Sequence, residues 1–461
     1  MIHRNEIHSY VENHRGEILN TLKELMKIPS VSYDECKRLL NITKKLYKDN
    51  GFETEINPEE GYLLSFYGEG KRTLGLFAHG DVVPPGENWL LTEPFEPKEI
   101  DGYLIGRGGK DDKAAILISL YCAKMLKELS IPFNSKLVMF TGIKEETGMQ
   151  DVKSYLDSHK APDFSIVCDN EFPVYCGNKG KIVFTATSST ALKGVTSIKG
   201  GEHGTNVAKA EATFPYTPEL FEALKAKESD NLKVKAEGNS LSLTAFGISK
   251  HSAFPEGSLN AASIIAEAIK DTDIFPEETR ETAEFIRKVS FDYYGNSLNI
   301  NNDEAEFGKL TIVNDEIEAD SHGVTLSFNL RHGINVNQAE TIERLKKEFA
   351  SYGFTLNISD TAKAHLTSKE HPMLKTLLDT YNSFTGNKAE RLLINPSGTY
   401  ARFLPDSAEI GLAIEDQKPS FKLPKGHGEI HQPDEYLYIE GFLKAIELTA
   451  LMILECDKTE L

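Results

Sequence analysis

Short apolar runs alternate with helical patterns over the first 185 residues of the chain. Residues 73–78, 135–141 and 164–168 form three runs that are largely apolar. Such runs are typical of strands buried on both faces of a parallel sheet. Between the first two lies the segment 112–129, whose Ala, Ile, Leu and Met content predicts a largely buried helix. This alternation of strands and helices predicts an α/β domain with helices on both faces of a mostly parallel sheet.

The pattern changes between residues 186 and 366, where alternating strands such as 240–246 and 324–331 predict an antiparallel sheet with one wet face. In the second of these strands Arg331 falls on the polar face. Helical periodicity returns at 372–384, and a long amphipathic helix is predicted from 433 to 455. We therefore expect residues 186–366 to form an α+β domain inserted into a domain built from 1–185 and 367–461.

Composition and charge narrow the class of protein. The chain has 461 residues, of which 40% are hydrophobic and 26% charged, as in globular proteins. Its formal net charge of −19 argues against nucleic acid or an anionic membrane as a partner. No apolar stretch approaches the ~18 residues of a membrane span, and no export segment is visible, which predicts a cytoplasmic protein. The five cysteines show no Cys-x-x-Cys spacing, so any metal ligands must be His, Asp and Glu.

Polar side chains follow each of the three apolar runs directly. His79 and Asp81 follow the first run, Glu145 and Glu146 the second, and Asp169 the third. Ligands of open α/β sheets bind outside the carboxyl ends of the strands, so these clusters are expected to converge. The glycine-rich turn 106–112 adds two further aspartates, including Asp111. This turn lacks the endings of a P-loop and of a dinucleotide fingerprint.

The convergence of so many acids predicts bound metal. Five carboxylates in one crevice would repel each other by several kcal/mol unless protonated or neutralised by cations. Two divalent ions would remove this repulsion, and imidazole with carboxylate suits Zn, while Mn or Co is also compatible. Each signal alone is weak, because a His-x-Asp pair is usually a surface feature and a Glu-Glu pair usually a solvated helix start.

Ordered motifs over nearly the whole chain resemble a known family. They are His79-Gly80-Asp81-Val82-Val83-Pro84, Gly106-Arg107-Gly108, Asp111-Asp112-Lys113, Glu145-Glu146-Thr147-Gly148, Asp169-Asn170-Glu171-Phe172-Pro173, Gly398-Thr399-Tyr400-Ala401-Arg402 and His431-Gln432-Pro433-Asp434-Glu435-Tyr436. Together they are similar to the di-zinc exopeptidases of the aminoacylase and carboxypeptidase clan, and most of all to the PepV-type bacterial dipeptidases. The sequence departs from that pattern at Lys144, Ala114-Ala115 and Pro396-Ser397-Gly398.

The resemblance implies a role for each candidate residue. It implies the following set: Asp111 bridging two metals, His79 and Asp169 completing one site, Glu146 and His431 completing the other, and Glu145 as general base. Asp81 would accept the second imidazole N–H of His79. His427 is a rival for His431, which is favoured by its Gln-Pro-Asp-Glu-Tyr context.

The resemblance also makes the inserted domain a lid. His251 would donate to the developing oxyanion, while Asn206 and Arg331 would hold the substrate's carbonyl and terminal carboxylate. Gly398 and Arg402 would add substrate contacts from the main domain. The plainer interpretation of Arg331 is a solvated charge on the polar face of a strand.

The expected function is hydrolysis of dipeptides with a free amino terminus by a cytoplasmic metallopeptidase. Its partner would be a small peptide, and the large lid predicts a monomer. An N-acyl-amino-acid deacylase or carboxypeptidase of the same clan is the alternative enzyme. A non-catalytic metal-binding module is a third possibility, and a nicotinamide enzyme is disfavoured by the missing glycine fingerprint.

Overall fold

The computed structural model describes residues 2–202, 204–389, 391–414 and 417–460. The chain divides into two compact units, Met1–Asn178 with Leu366–Leu461, and Lys179–His365. The second unit is thus inserted in sequence into the first. The sequence pattern placed these joints at 185/186 and 366/367. The first joint falls earlier because the strand that begins at Gly180 pairs within the inserted unit.

No helix among the described residues has the length and apolar character that crossing a bilayer requires.

The described residues form helices and strands with the following bounds. The helices are α1 (Arg4–Met26), α2 (Tyr33–Asp49), α3 (Ala114–Glu128), α4 (Gln150–Ser158), α5 (Pro218–Lys225), α6 (Ala261–Lys270), α7 (Glu277–Phe291), α8 (Gln338–Ala350), α9 (Pro372–Thr385) and α10 (Ile439–Lys458). The strands are β1 (Glu53–Asn57), β2 (Tyr62–Tyr67), β3 (Thr73–His79), β4 (Lys98–Ile100), β5 (Tyr103–Ile105), β6 (Lys136–Gly142), β7 (Phe164–Asn170), β8 (Tyr175–Asn178), β9 (Gly180–Ser188), β10 (Ser197–Gly201), β11 (Lys209–Pro215), β12 (Leu232–Glu237), β13 (Ser240–Phe246), β14 (Asp303–Glu304), β15 (Gly308–Lys309), β16 (Thr311–Asp320), β17 (Gly323–His332), β18 (Thr355–Ala362), β19 (His365–Leu366), β20 (Leu393–Asn395), β21 (Ser407–Gly411) and β22 (Tyr436–Tyr438).

The first unit is built on a sheet in the order β1-β2-β6-β3-β7-β21-β8-β19, with β20 beside β8. Its centre, β6-β3-β7-β21, is parallel, while β1 and β2 add antiparallel strands at one edge. Alternate side chains of the central strands enter different cores. Leu76 of β3 packs with α1, α3 and α10, whereas Phe77 packs on the other face with α4. The predicted mostly parallel sheet with helices on both faces is confirmed.

The closing helix begins later than its amphipathic pattern predicted. We expected a start at Pro433, but α10 begins at Ile439. The intervening residues Tyr436–Tyr438 form β22, which pairs with β5 in a small antiparallel sheet. Helical periodicity could not reveal this pairing, because the partner strand lies more than 300 residues earlier in the chain.

The inserted unit is organised around an eight-stranded sheet in the order β12-β13-β11-β10-β16-β17-β9-β18. Every pair in it is antiparallel, as the alternating pattern predicted. Apolar side chains of β17 such as Phe328 join residues of α6, α7 and α8 in one core. The α+β character expected for the inserted segment is therefore confirmed.

Candidate metal centre

The acidic residues of the first unit converge because their strands are parallel neighbours. β3 ends at His79, β6 is followed by Glu145 and Glu146, and Asp169 lies near the end of β7. Carboxyl ends of parallel strands lie at one edge of a sheet. The turn Gly109–Lys113 brings Asp111 to the same edge before α3 begins.

Two groups of metal-ligating side chains form at this edge. One contains His79, Asp111 and Asp169, the other Asp111, Glu146 and His431, and the potential ligand atoms within each group lie within 4.8 Å of one another. In the first, Nε2 of His79 lies 3.1 Å from Oδ1 of Asp111 and 3.8 Å from Oδ2 of Asp169. In the second, Nε2 of His431 lies 2.9 Å from Oδ2 of Asp111 and 3.2 Å from Oε1 of Glu146.

Asp111 is the residue that the two groups share. Its Oδ1 faces His79 while its Oδ2 faces His431. Paired catalytic metals lie ~3.5–4 Å apart, a spacing that a single bridging carboxylate can span. The geometry of Asp111 is therefore suited to a bridge between two ions.

The ring of His79 is oriented by a backbone carbonyl. Nδ1 donates to the carbonyl oxygen of Asp81 at 3.0 Å, which leaves the lone pair of Nε2 directed at Asp111 and Asp169. The carboxylate of Asp81, the acceptor predicted from the sequence, also lies beside the ring, with Oδ1 3.4 Å from Nδ1. That carboxylate accepts the backbone N–H groups of Glu145 and Glu146 at 3.2 and 3.1 Å. Asp81 thus orients the start of the Glu-Glu segment as well as the imidazole.

The electrostatics of the edge fit a cation. Burial, followed by the charges of neighbouring carboxylates, raises the pKa of Glu145 and of Glu146. The same two causes raise the pKa of Asp169. Burial alone would also raise the pKa of Asp111, but the neighbouring imidazoles of His431 and His79 hold it well below its usual range. Buried acids that oppose each other's ionisation are stabilised in the charged form by divalent ions.

Buried polar atoms without a hydrogen-bond partner also fit a cation site. Several buried side-chain atoms of the described residues have no hydrogen-bond partner, and three of them lie near this edge: Nε2 of His79, Oε1 of Glu146 and Oδ1 of Asp112. Leaving such atoms unpaired costs about 1–3 kcal/mol each. Two of the three belong to the proposed ligand groups. A donor set of imidazole and carboxylate without sulfur fits Zn, and also Mn or Co.

Glu435 holds the turn that carries Asp111, a contact that the sequence analysis missed. Its carboxylate is fully buried and accepts from the guanidinium of Arg107 at 2.6 Å. It also accepts the backbone N–H groups of Gly108, Lys110 and Asp111 at 3.2, 2.9 and 3.2 Å. The signal was present, because Glu435 lies four residues after His431 in the same motif.

The carboxylate of Asp434, the residue before Glu435, binds two other segments. It accepts the N–H groups of Leu90 and Leu91 and the Nδ1 proton of His427, the last at 2.6 Å. His427 belongs to neither metal-ligand group of the described residues, whereas His431 belongs to one.

A third group of possible ligands, His8, Glu12 and Glu447, lies apart on α1 and α10. The side chain of His8 is 59% exposed there. Since such surface groups are common in acidic proteins, we assign it no function.

Gly398 and Arg402 lie together in the first unit. A Cβ at Gly398 would overlap the guanidinium of Arg402, so glycine is required for that side chain to lie where it does. Nη2 of Arg402 donates to the carbonyl of Ser397 at 3.1 Å. The arginine thus folds back over the loop that contains Gly398.

In the inserted unit, His251 is exposed and has a defined tautomer. Its Nδ1 accepts the N–H of Ala253 at 3.2 Å, which leaves the proton of the neutral ring on Nε2. Asn206 is buried, and its amide binds the carbonyls of Ile248 and Leu259 and the N–H of Lys250. Asn206 therefore braces the segment that leads to His251.

Arg331, near the end of β17, lies opposite Thr311 of β16 and Lys181 of β9 in the sheet register. It is 8% exposed, although the strand pattern places it opposite the apolar core. The side chain is thus not the solvated surface charge of the plainer interpretation.

Comparisons with known proteins agree with this architecture. The family model described as "Peptidase family M20/M25/M40" matches residues 75–455. "Putative dipeptidase YtjP" of Bacillus subtilis (strain 168) is 29% identical over 405 residues, which cover 85% of this chain and 84% of that protein. "Putative dipeptidase SH1171" of Staphylococcus haemolyticus (strain JCSC1435) is 25% identical over 93% of this chain and 94% of its own length. The crystal structure of human carnosine dipeptidase 1 shares the fold with a TM-score of 0.64 at 15% identity, over the full length of both chains.

Proposed function

The chain belongs to peptidase family M20/M25/M40, a family of metal-dependent hydrolases, and we propose that it is a dipeptidase that cleaves dipeptides with a free amino terminus. The observation that carries this proposal is the pair of ligand groups that share Asp111 beside the buried carboxyl of Glu145. Relatives described as putative dipeptidases, matched over most of their length, support the choice of substrate class.

We propose that two divalent ions are held at this edge, with Zn favoured by the ligand types. The ligands would be His79, Asp111 and Asp169 for one ion, and Asp111, Glu146 and His431 for the other. When bound, such ions lower the pKa of water and polarise a peptide carbonyl.

Glu145 would move the proton in this reaction. Its backbone is held by Asp81, and burial among acids raises the pKa of its carboxyl. A carboxyl whose pKa is raised above its usual range can take a proton from the attacking water and return it to the leaving amine.

The inserted unit would act as a lid that supplies groups to the substrate. We propose that His251 donates its Nε2 proton to the developing oxyanion, and that Arg331 holds the terminal carboxylate. The hydrogen bonds of Asn206 favour a supporting role behind His251 over direct contact with the substrate carbonyl. Gly398 and Arg402 would contact the substrate from the first unit. A cytoplasmic location, a monomeric state and the absence of nucleic-acid and membrane partners are further parts of the proposal.

Metal analysis combined with a substrate panel tests the function. The purified chain would be stripped of metal, reconstituted with Zn, Mn or Co, and assayed on dipeptides, tripeptides, dipeptide amides and N-acetylated amino acids. We expect two ions per chain and turnover confined to the free dipeptides. Turnover restricted to N-acetylated amino acids would instead identify a deacylase, and activity that survives exhaustive chelation would overturn the metal-dependent mechanism.

A further inference from the structure

Glu409 is a buried acid of β21 that the proposed reaction does not use. It is 1% exposed, and its carboxylate receives four neutral donors. Asn170 and Asn395 donate to Oε2, while Asn178 and Thr399 donate to Oε1. Two donors on each oxygen satisfy the acceptors of the ionised carboxylate. Burial raises the pKa of Glu409, and the four donors oppose that effect.

Three of the four donors also hold a nearby backbone N–H through their side-chain oxygens. The side-chain oxygen of Asn170 accepts the backbone N–H of Glu171 at 2.8 Å. That of Asn395 accepts from Ser397 at 2.8 Å. The hydroxyl of Thr399 accepts from Ala401 at 3.2 Å and caps the short 3-10 helix Tyr400–Phe403. Because each side chain must turn its donor toward Glu409, its acceptor is left facing the backbone.

These three backbone contacts adjoin residues proposed to act on the substrate or the metals. Asn170 follows Asp169, a proposed metal ligand. Asn395 and Thr399 flank the loop that contains Gly398, and the helix that Thr399 caps contains Arg402.

The fourth donor, Asn178, differs from the other three. Its Oδ1 is buried and has no hydrogen-bond partner among the described residues, so it supports no turn. It therefore serves as an internal control, because it binds the same carboxylate without shaping a loop.

We propose that Glu409 is a positioning residue that acts through Asn170, Asn395 and Thr399. These side chains fix the loop 395–402, which contains Gly398 and Arg402, against the end of β7, which carries Asp169. In this way Glu409 sets the affinity for substrate. The inference rests on the proposed peptidase function, since the substrate is the readout. It assigns Glu409 no contact with substrate or metal.

Kinetics of four variants on one dipeptide test the proposal, with metal content measured for each. Glu409→Gln replaces one carboxylate oxygen with an N–H₂ group, which would face other donors. The carboxylate that orients Asn170, Asn395 and Thr399 would then be lost. Asn395→Ala and Thr399→Val each remove a single link. We expect KM to rise by about tenfold or more in these three, with kcat changed less and both ions retained. Asn178→Ala should lower thermal stability while KM stays within about threefold of the parent value.

Two outcomes would overturn the proposal. One is a KM for Asn395→Ala and Thr399→Val that stays at the parent value, which would leave Glu409 a purely structural acid. The other is an equal rise in KM for Asn178→Ala, which would show that any loss of stability has the same effect. Thr399→Val, the most conservative change, decides the matter if Glu409→Gln does not fold. Failure of the proposed function itself is recognised separately, because the metal-loaded parent chain would then turn over no dipeptide.

Discussion

Glu145 and Asp111 are two buried acids at the same edge of the sheet, yet their surroundings differ. Asp111 has one oxygen toward each histidine, and its pKa is lowered by them. Burial, followed by the charges of neighbouring acids, raises the pKa of Glu145, although the charge of His79 opposes this. The opposite directions of the two shifts are consistent with a charged ligand at Asp111 and a proton-exchanging group at Glu145.

Substitution of the two acids should therefore have different effects. We expect Glu145→Gln to retain both ions and the fold while turnover falls by about 10²–10⁴, because proton transfer is lost and no ligand is removed. Asp111→Asn should lose metal together with activity. Metal analysis and turnover on a dipeptide check both variants. If Glu145→Gln lost metal and Asp111→Asn retained it, the roles of general base and bridging ligand would be wrongly assigned to these two residues.

His251 provides a second prediction at this scale. If its Nε2 proton stabilises the oxyanion, His251→Ala should lower kcat by about 10²–10³ and leave metal content and KM nearly unchanged. Steady-state kinetics on a dipeptide measure this, with the exposed His322 of the same unit as a matched control in His322→Ala. Full activity in His251→Ala would remove the residue from the mechanism.

At the scale of elements, the acidic pair at 434–435 shows how a loop can organise a distant turn. Glu435 binds three N–H donors of the turn that delivers Asp111, besides the guanidinium of Arg107. Both ends of the ion pair are buried, since Arg107 is 1% exposed. Removing one partner of such a pair leaves an uncompensated charge.

Glu435→Gln is accordingly predicted to weaken metal binding although it removes no ligand. An amide N–H₂ would face backbone or guanidinium donors, so the turn at Asp111 should shift and metal affinity fall by about 10–100-fold. Titration with Zn against a competing chelator measures the change. Glu447→Gln, at another buried acid of the C-terminal segment, is the control, and an equal loss there would refute a specific effect of Glu435.

The elements also show what local sequence patterns could and could not predict. The buried strands β3, β6 and β7 and the helix α3 follow from apolar runs, and parallel pairing explains why their polar ends meet. The strand β22 and the clamp at Glu435 depend on partners far away in the chain, which periodicity does not encode. Likewise the burial of Asn206 arises from contacts with two later segments, which its own motif does not encode.

For the whole molecule, the first unit brings Asp111, Glu146 and Asp169 together at one edge of the sheet while the chain carries a net charge of −19. Without cations this edge retains the repulsion that raises the pKa values of Glu145, Glu146 and Asp169. Bound ions would remove it, so metal occupancy and stability of the first unit should be linked.

Chelation should therefore lower thermal stability as well as abolish activity. A ligand present at about 1,000 times its Kd stabilises the native state by about 4 kcal/mol, which amounts to several degrees in Tm. We expect Tm to fall on exhaustive chelation and to recover when Zn is restored. Asp111→Asn should have a low Tm that no longer responds to chelator, because the shared ligand is gone. His8→Ala, which disrupts the surface group on α1 and α10, should respond as the parent does. If chelator does not change the Tm of the parent, no stabilising ions are held at the edge around Asp111. The same conclusion follows if the response to chelator disappears in His8→Ala and persists in Asp111→Asn.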